Sequence, residues 1–115
     1  MEKYFWTEHS KFKMKQYGLS EQRIKRVLRN PYRKEEGIVK NTIAMMSPQN
    51  SKRVDGKEIW KQEIWVMIQK GNFQRRKKIL SSGQIKVISA WRYPGVSPKN
   101  SPIPEEIIRE LELVL

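Results

Sequence analysis

The apolar positions along this chain change period twice, and the changes divide it into helix, then strand, then helix again. Thr7 is placed as an N-cap with Glu8 in the favourable first turn, which predicts a first helix from about Glu8 to Tyr17. Gly18 follows as the residue that ends it, with Leu19 as the hydrophobic contact that accompanies such a cap. Ser20 and Glu21 open a second helix whose stripe is Ile24, Val27 and Leu28, and Asn30-Pro31 stops it. Before both helices, the aromatic run Tyr4, Phe5 and Trp6 predicts an edge or entry strand.

After Pro31 the period becomes extended. Residues 32–39 and 42–47 predict a hairpin around Lys40-Asn41, and Pro48 to Lys57, polar and containing Asp55-Gly56, predicts a loop. Glu58 to Lys70 is apolar on both faces and belongs beside the strand that starts at Gln84. That last strand, Gln84 to Gly95, is expected at the centre of the sheet. Strict alternation puts Ile85, Val87, Ser89 and Trp91 on one face and Lys86, Ile88, Ala90 and Arg92 on the other. Between the two strands the run Arg75, Arg76, Lys77 and Lys78 cannot be buried together, so residues 71–83 are expected as an exposed loop or a projecting hairpin tip. The expected organisation is one domain over residues 1–95, a proline-rich linker over 96–104, and an amphipathic helix over 105–115. That helix starts after Pro104, with Ile107, Ile108, Leu111 and Leu115 on one side, and docks on the same domain or on a second chain.

Charge changes the picture most. The chain of 115 residues holds 24 Lys and Arg against 12 Asp and Glu, a formal net of +12. Residues 1–100 carry all of the excess, whereas residues 101–115 have one basic and four acidic groups. A body this basic attracts phosphate polymers through counterion release, and nucleic acid is the expected partner. There is no cysteine and a single histidine, so disulfides, cysteine-based zinc sites and multi-histidine sites are excluded, and no metal or cofactor is expected. No apolar run has signal-peptide or membrane-spanning length. The expectation is therefore a cytoplasmic protein, monomer or homodimer, that does not enter membranes.

The order His9-Ser10-Lys11-Phe12-Lys13-Met14-Lys15-Gln16-Tyr17-Gly18-Leu19-Ser20, followed by a helix ending Leu28-Arg29-Asn30-Pro31, resembles a His-Ala-x-x-Arg-Met-x-x-Arg-Gly-Ile-Ser pattern. That pattern belongs to a small bacterial domain family of unknown function related to the BrnT toxins and more loosely to RelE and ParE toxin-like proteins. The ending Ile88-Ser89-Ala90-Trp91-Arg92-Tyr93 is similar to that family's closing strand, so the likeness covers about residues 5–94. It implies an α+β domain with two helices across one face of a twisted, mainly antiparallel sheet of about four strands, to which the C-terminal helix is added. It also implies a toxin–antitoxin setting, in which a basic protein cuts RNA and an antitoxin protein blocks it. Lys13 and Tyr17 stand where the pattern has arginines, and Ser10 where it has alanine. Two guanidiniums that would grip phosphate bidentately are thus missing.

Metal-independent cleavage of RNA needs a base, an acid and cations around the phosphorus. His9 is the side chain that titrates near neutrality, Lys13 lies one helical turn on, and Arg92 and Tyr93 leave the end of the central strand. These four are the candidate catalytic residues, expected to converge on one groove. Arg23, Arg26 and Arg29, together with the run from Arg75 to Lys78, are the candidate RNA-binding residues. Trp60, Trp65 and Trp91 are expected in the core, whereas Trp6 or Tyr93 could stack on a base if exposed. Two classes remain open, a ribonuclease and a non-catalytic module for nucleic acid or protein. In either, the acidic last helix is expected to fold back and mask the basic body.

Overall fold

The structure, a computed structural model, describes residues 3–37, 41–70, 84–99 and 103–114. The expected basic run from Arg75 to Lys78 lies outside the described residues, as do the turn residue Lys40 and the terminal Leu115. The fold is α+β. Five strands form a mixed sheet in the order β1-β7-β6-β3-β2, and β4 and β5 form a separate two-stranded ribbon. The strands are β1 Lys3–Trp6, β2 Arg33–Glu36, β3 Thr42–Pro48, β4 Lys52–Val54, β5 Lys57–Ile59, β6 Gln62–Lys70 and β7 Gln84–Pro94. The helices are α1 Glu8–Tyr17, α2 Glu21–Arg29 and α3 Glu105–Val114. The main sheet thus has one strand more than expected, and β1 runs parallel to β7 while the other pairs are antiparallel.

Local chemistry sets the first two helices. Thr7 Oγ1 accepts from the Ser10 N–H at 3.1 Å, and Ser20 Oγ accepts from the Arg23 N–H at 3.1 Å. Gly18 closes α1 in the left-handed region, φ 68°, which brings the Leu19 N–H to Met14 O at 2.8 Å and buries the Leu19 side chain. β1 ends where α1 begins, because Thr7 turns inward and donates its hydroxyl to Val87 O and Ile88 O, at 2.9 and 3.2 Å. From there α1 runs alongside the second half of β7, with His9 beside Ser89 and the Tyr17 carbonyl beside Arg92.

Two apolar layers cover the sheet. On one face Ile24 and Val27 of α2, with Met14 and Leu19, pack on Met45, Ile64, Val66, Ile68, Ile85, Val87 and Ala90. On the other, Ile107 and Leu111 of α3 pack on Ala44, Met46, Trp65, Met67, Ile88 and Trp91, where the two indoles stack at 6.0 Å. Each such fully buried side chain contributes roughly 1.5–3 kcal/mol. The two helices expected on one face therefore divide: α2 lies on the face, and α1 runs along the border of β7, reaching toward α3.

Two expectations about the strands need correction. Strict alternation in β7 fails because the pairing register with β6 shifts between Met67 and Ile68, leaving Ile88 as the extra residue of a β-bulge. Ile85, Val87 and Ala90 consequently share the α2 face, and Ile88 and Trp91 share the α3 face. Trp91 and Arg92 have exchanged sides relative to the simple pattern. The expected loop after Pro48 is instead largely the ribbon β4–β5, turned by Asp55 (φ 51°) and Gly56 (φ 78°), both in the left-handed region that such a two-residue hairpin demands. The strand expected from Glu58 accordingly breaks at Trp60 into β5 and β6.

The proline-rich segment is sewn to the sheet by a buried carboxylate. Glu63, with no exposed surface, accepts from the indole N–H groups of Trp60 and Trp65, both at 2.9 Å. It also accepts from the Ser97 N–H at 3.2 Å and from the Ser97 hydroxyl at 2.6 Å. Arg33 closes the arrangement by donating to Ser97 O at 3.0 Å and pairing with Glu35 at 2.8 Å.

Candidate nucleic-acid interface

The four candidate catalytic residues do not share one set of contacts. His9 and Lys13 lie on the side of α1 that faces α3. The His9 Nε2 atom is 3.0 Å from Ser89 Oγ and 4.0 Å from Glu110 Oε1, with the side chain 10% exposed. Lys13 Nζ lies 2.9 Å from Glu110 Oε1 and donates to Gln16 Oε1 at 2.8 Å and to Glu106 Oε2 at 3.3 Å. Its side chain is 0% exposed.

The electrostatics follow from this packing. Burial pushes the His9 imidazole below its ordinary pKa, with Lys13 acting in the same direction and Glu110 against them. Burial alone would lower Lys13 as well, but the carboxylates of Glu110 and Glu106 outweigh it and hold the ammonium above its ordinary value. The result is a neutral imidazole next to a charged, closed lysine at neutral pH. Ser89 beside His9 has the contact of a nucleophile and its base. Yet Ser89 is fully buried, and Glu110 approaches the same ring nitrogen as the hydroxyl does, so among the described residues no carboxylate orients the ring from behind.

Arg92 and Tyr93 leave β7 on opposite faces, as neighbours on a strand do. Arg92 is turned to the α1–α2 corner, where its Nε donates to the Tyr17 carbonyl at 2.7 Å. Its Nη1 donates to the side-chain oxygen of Gln62 at 3.1 Å and to that of Gln49. Tyr93, half-buried, packs at the border of the Trp65–Trp91 layer under α3. No contact among the described residues links Arg92 to His9 or Lys13.

A second cationic group stands on the α2 face. The apolar stripe of α2 turns Ile24 and Val27 inward, which leaves Arg26 and Arg29 exposed and Arg23 half-exposed. Burial, then the like charges of Arg26 and Arg92, lower the pKa of Arg23. The ion pairs formed by the described residues engage Lys11, Lys13, Arg33, Arg109 and His9; none reaches Arg23, Arg26, Arg29 or Arg92. Arg23 and Arg26 thus stand near Arg92 with no ion pair among the described residues, Arg29 is exposed further along α2, and the other four expected residues, Arg75 to Lys78, lie outside the described residues.

Beside this patch, Gln49 and Gln62 line a cleft that the sequence did not announce. Trp60, expected in the core, is half-buried at its wall. Trp65 and Trp91 are in the core as expected, with no exposed surface. The buried hub of Glu63 and Ser97 was also silent in the sequence, since nothing local marks a strand glutamate as the partner of a serine 34 residues away. Among the described residues no group of three or more metal-ligating side chains occurs, and no helix is long and apolar enough to cross a membrane. Comparison with known proteins returns no matching family model, no matching curated protein and no matching solved structure.

Proposed function

We propose that this is a toxin-like basic protein that binds RNA across the α2 face, with α3 closing off the His9–Lys13 pair on the far side of the sheet. The single observation that carries the reading is that α2 turns Arg23, Arg26 and Arg29 outward with no ion pair to any carboxylate among the described residues. Gathered like charges cost free energy unless an anion meets them, and a phosphate backbone is the polyanion whose binding releases counterions. The sequence resemblance of residues 5–94 to BrnT-related and RelE-like toxins is what suggests a toxin setting for this activity, with an antitoxin as the second partner. The arrangement favours binding over cleavage, because Lys13 is held by two acceptors and an ion pair to Glu110, and Arg92 by the Tyr17 carbonyl and two amides.

A second reading rests on His9. A neutral imidazole next to a lysine offers a base and a cation for metal-independent RNA cleavage, and displacement of α3 would uncover them. One experiment addresses both readings: the purified chain is incubated with single-stranded RNA in chelator at low and raised salt. Salt-sensitive retention of intact RNA is the expected result. Failure to retain RNA even at low salt refutes the binding reading, and cleavage that disappears in a His9→Ala variant would establish the second.

A further inference from the structure

The ribbon β4–β5 stands off the main sheet, and between them lies a cleft of about 680 Å³. This is within the roughly 300–1,000 Å³ that small-molecule sites occupy. Val54, Ile59 and Trp60 line it on one side, with the Trp60 indole N–H held by Glu63 and its ring packed edge-to-face with Tyr32 at 4.9 Å. Val54 and Ile59 are about half exposed, more than β-branched side chains ordinarily are. Lys52 and Lys61 stand on the same cleft and carry its charge.

The polar groups are pre-set. A guanidinium can only donate, so the Gln49 and Gln62 groups that meet Arg92 Nη1 must be their oxygens. That fixes both amides and leaves their N–H₂ ends as the free donors, for which no acceptor is found among the described residues. Two fixed donors, two ammonium groups and a flat aromatic wall are complementary to an anion that carries a planar ring rich in acceptors.

We propose that this cleft holds one nucleotide of a single-stranded nucleic acid. Its base lies on Trp60 and Ile59, its carbonyl or ring-nitrogen acceptors meet the Gln49 and Gln62 amides, and its phosphate faces Lys52 and Lys61. The inference rests on the RNA-binding reading and deepens it, since Arg92 joins the guanidinium patch to the amides of the cleft. A base in a duplex has no free face to offer, so the site selects unpaired strands.

The test compares ten-residue oligouridine, oligothymidine and an abasic phosphate oligomer of the same length, each titrated into the full chain at fixed salt. The cleft predicts about tenfold tighter binding of the oligomers with bases than of the abasic one. A K52A/I59A double variant, altered only on the exposed ribbon, should lose this difference while keeping salt-sensitive binding of all three. Equal affinity of the unaltered chain for abasic and base-bearing oligomers would overturn the cleft and leave the electrostatic reading standing. Absence of binding to all three would overturn both. Oligouridine preferred over oligothymidine supports the cleft with RNA as its source, and equal binding of the two supports it for either sugar.

Discussion

Lys13 and Glu110 show how a residue's surroundings, rather than its type, decide what it does. A lysine with no exposed surface persists only because two carboxylates and an amide oxygen surround its ammonium. Glu110→Gln is expected to cost about 3 kcal/mol, the lower end for losing one partner of a buried pair, because Glu106 and Gln16 remain. Chemical denaturation measures it, and a change of a few tenths would show that water reaches the site. The pH dependence has a fixed sign. His9 and Glu106 are both held below their ordinary values of 6.5 and 4.5, so the stability they contribute is present above those values and lost as pH falls. Lys13, held above its ordinary 10.5, contributes stability that is lost only as pH rises past that value. Melting temperature should therefore fall on acidification from pH 7, with His9→Asn flattening the part that begins below 6.5. Ser97→Ala, which strips a hydroxyl from buried Glu63, should cost roughly 1.5–3 kcal/mol in the same assay.

At the scale of elements, what was legible in the sequence is what local chemistry decides. Thr7, Gly18, Ser20 and Asn30 bound α1 and α2 because caps act within four residues of themselves. The apolar stripe of α3 was equally plain, and Ile107 and Leu111 are indeed its buried residues; that they rest on Trp65 and Trp91 is a tertiary fact that no periodicity carries. Leu111→Ala should cost about 2–4 kcal/mol, since the cavity it leaves lies between the helix and the sheet. The bulge at Ile88 was not legible because its carbonyl is claimed by Thr7, 81 residues away. Nor was the β4–β5 ribbon, whose sequence is too polar to look like a strand and whose only marker was the Asp55-Gly56 turn. His9 and Lys13 were correctly placed on one side of a helix, but their closure by α3 depends on the fold.

At the scale of the molecule, the described arginines of α2 and the glutamates of α3 belong to opposite faces of the sheet. The guanidinium patch of α2 lies on one side of the sheet and α3 with its four glutamates on the other, so α3 covers His9 and Lys13 without covering the arginines. Among the described residues, the expected masking of the basic body by the acidic helix is seen at His9 and Lys13. On the proposed reading, a polyanion meets the α2 face while α3 stays docked. The most direct test is the salt dependence of single-stranded RNA binding by the unaltered chain and by a variant with Arg23, Arg26 and Arg29 all changed to Gln. Weaker binding is expected of the triple variant, with a slope of log K against log salt that is shallower by about 2, since each lost phosphate contact on a single strand removes about 0.7. An unchanged slope and affinity in the triple variant, with its fold intact, would contradict it.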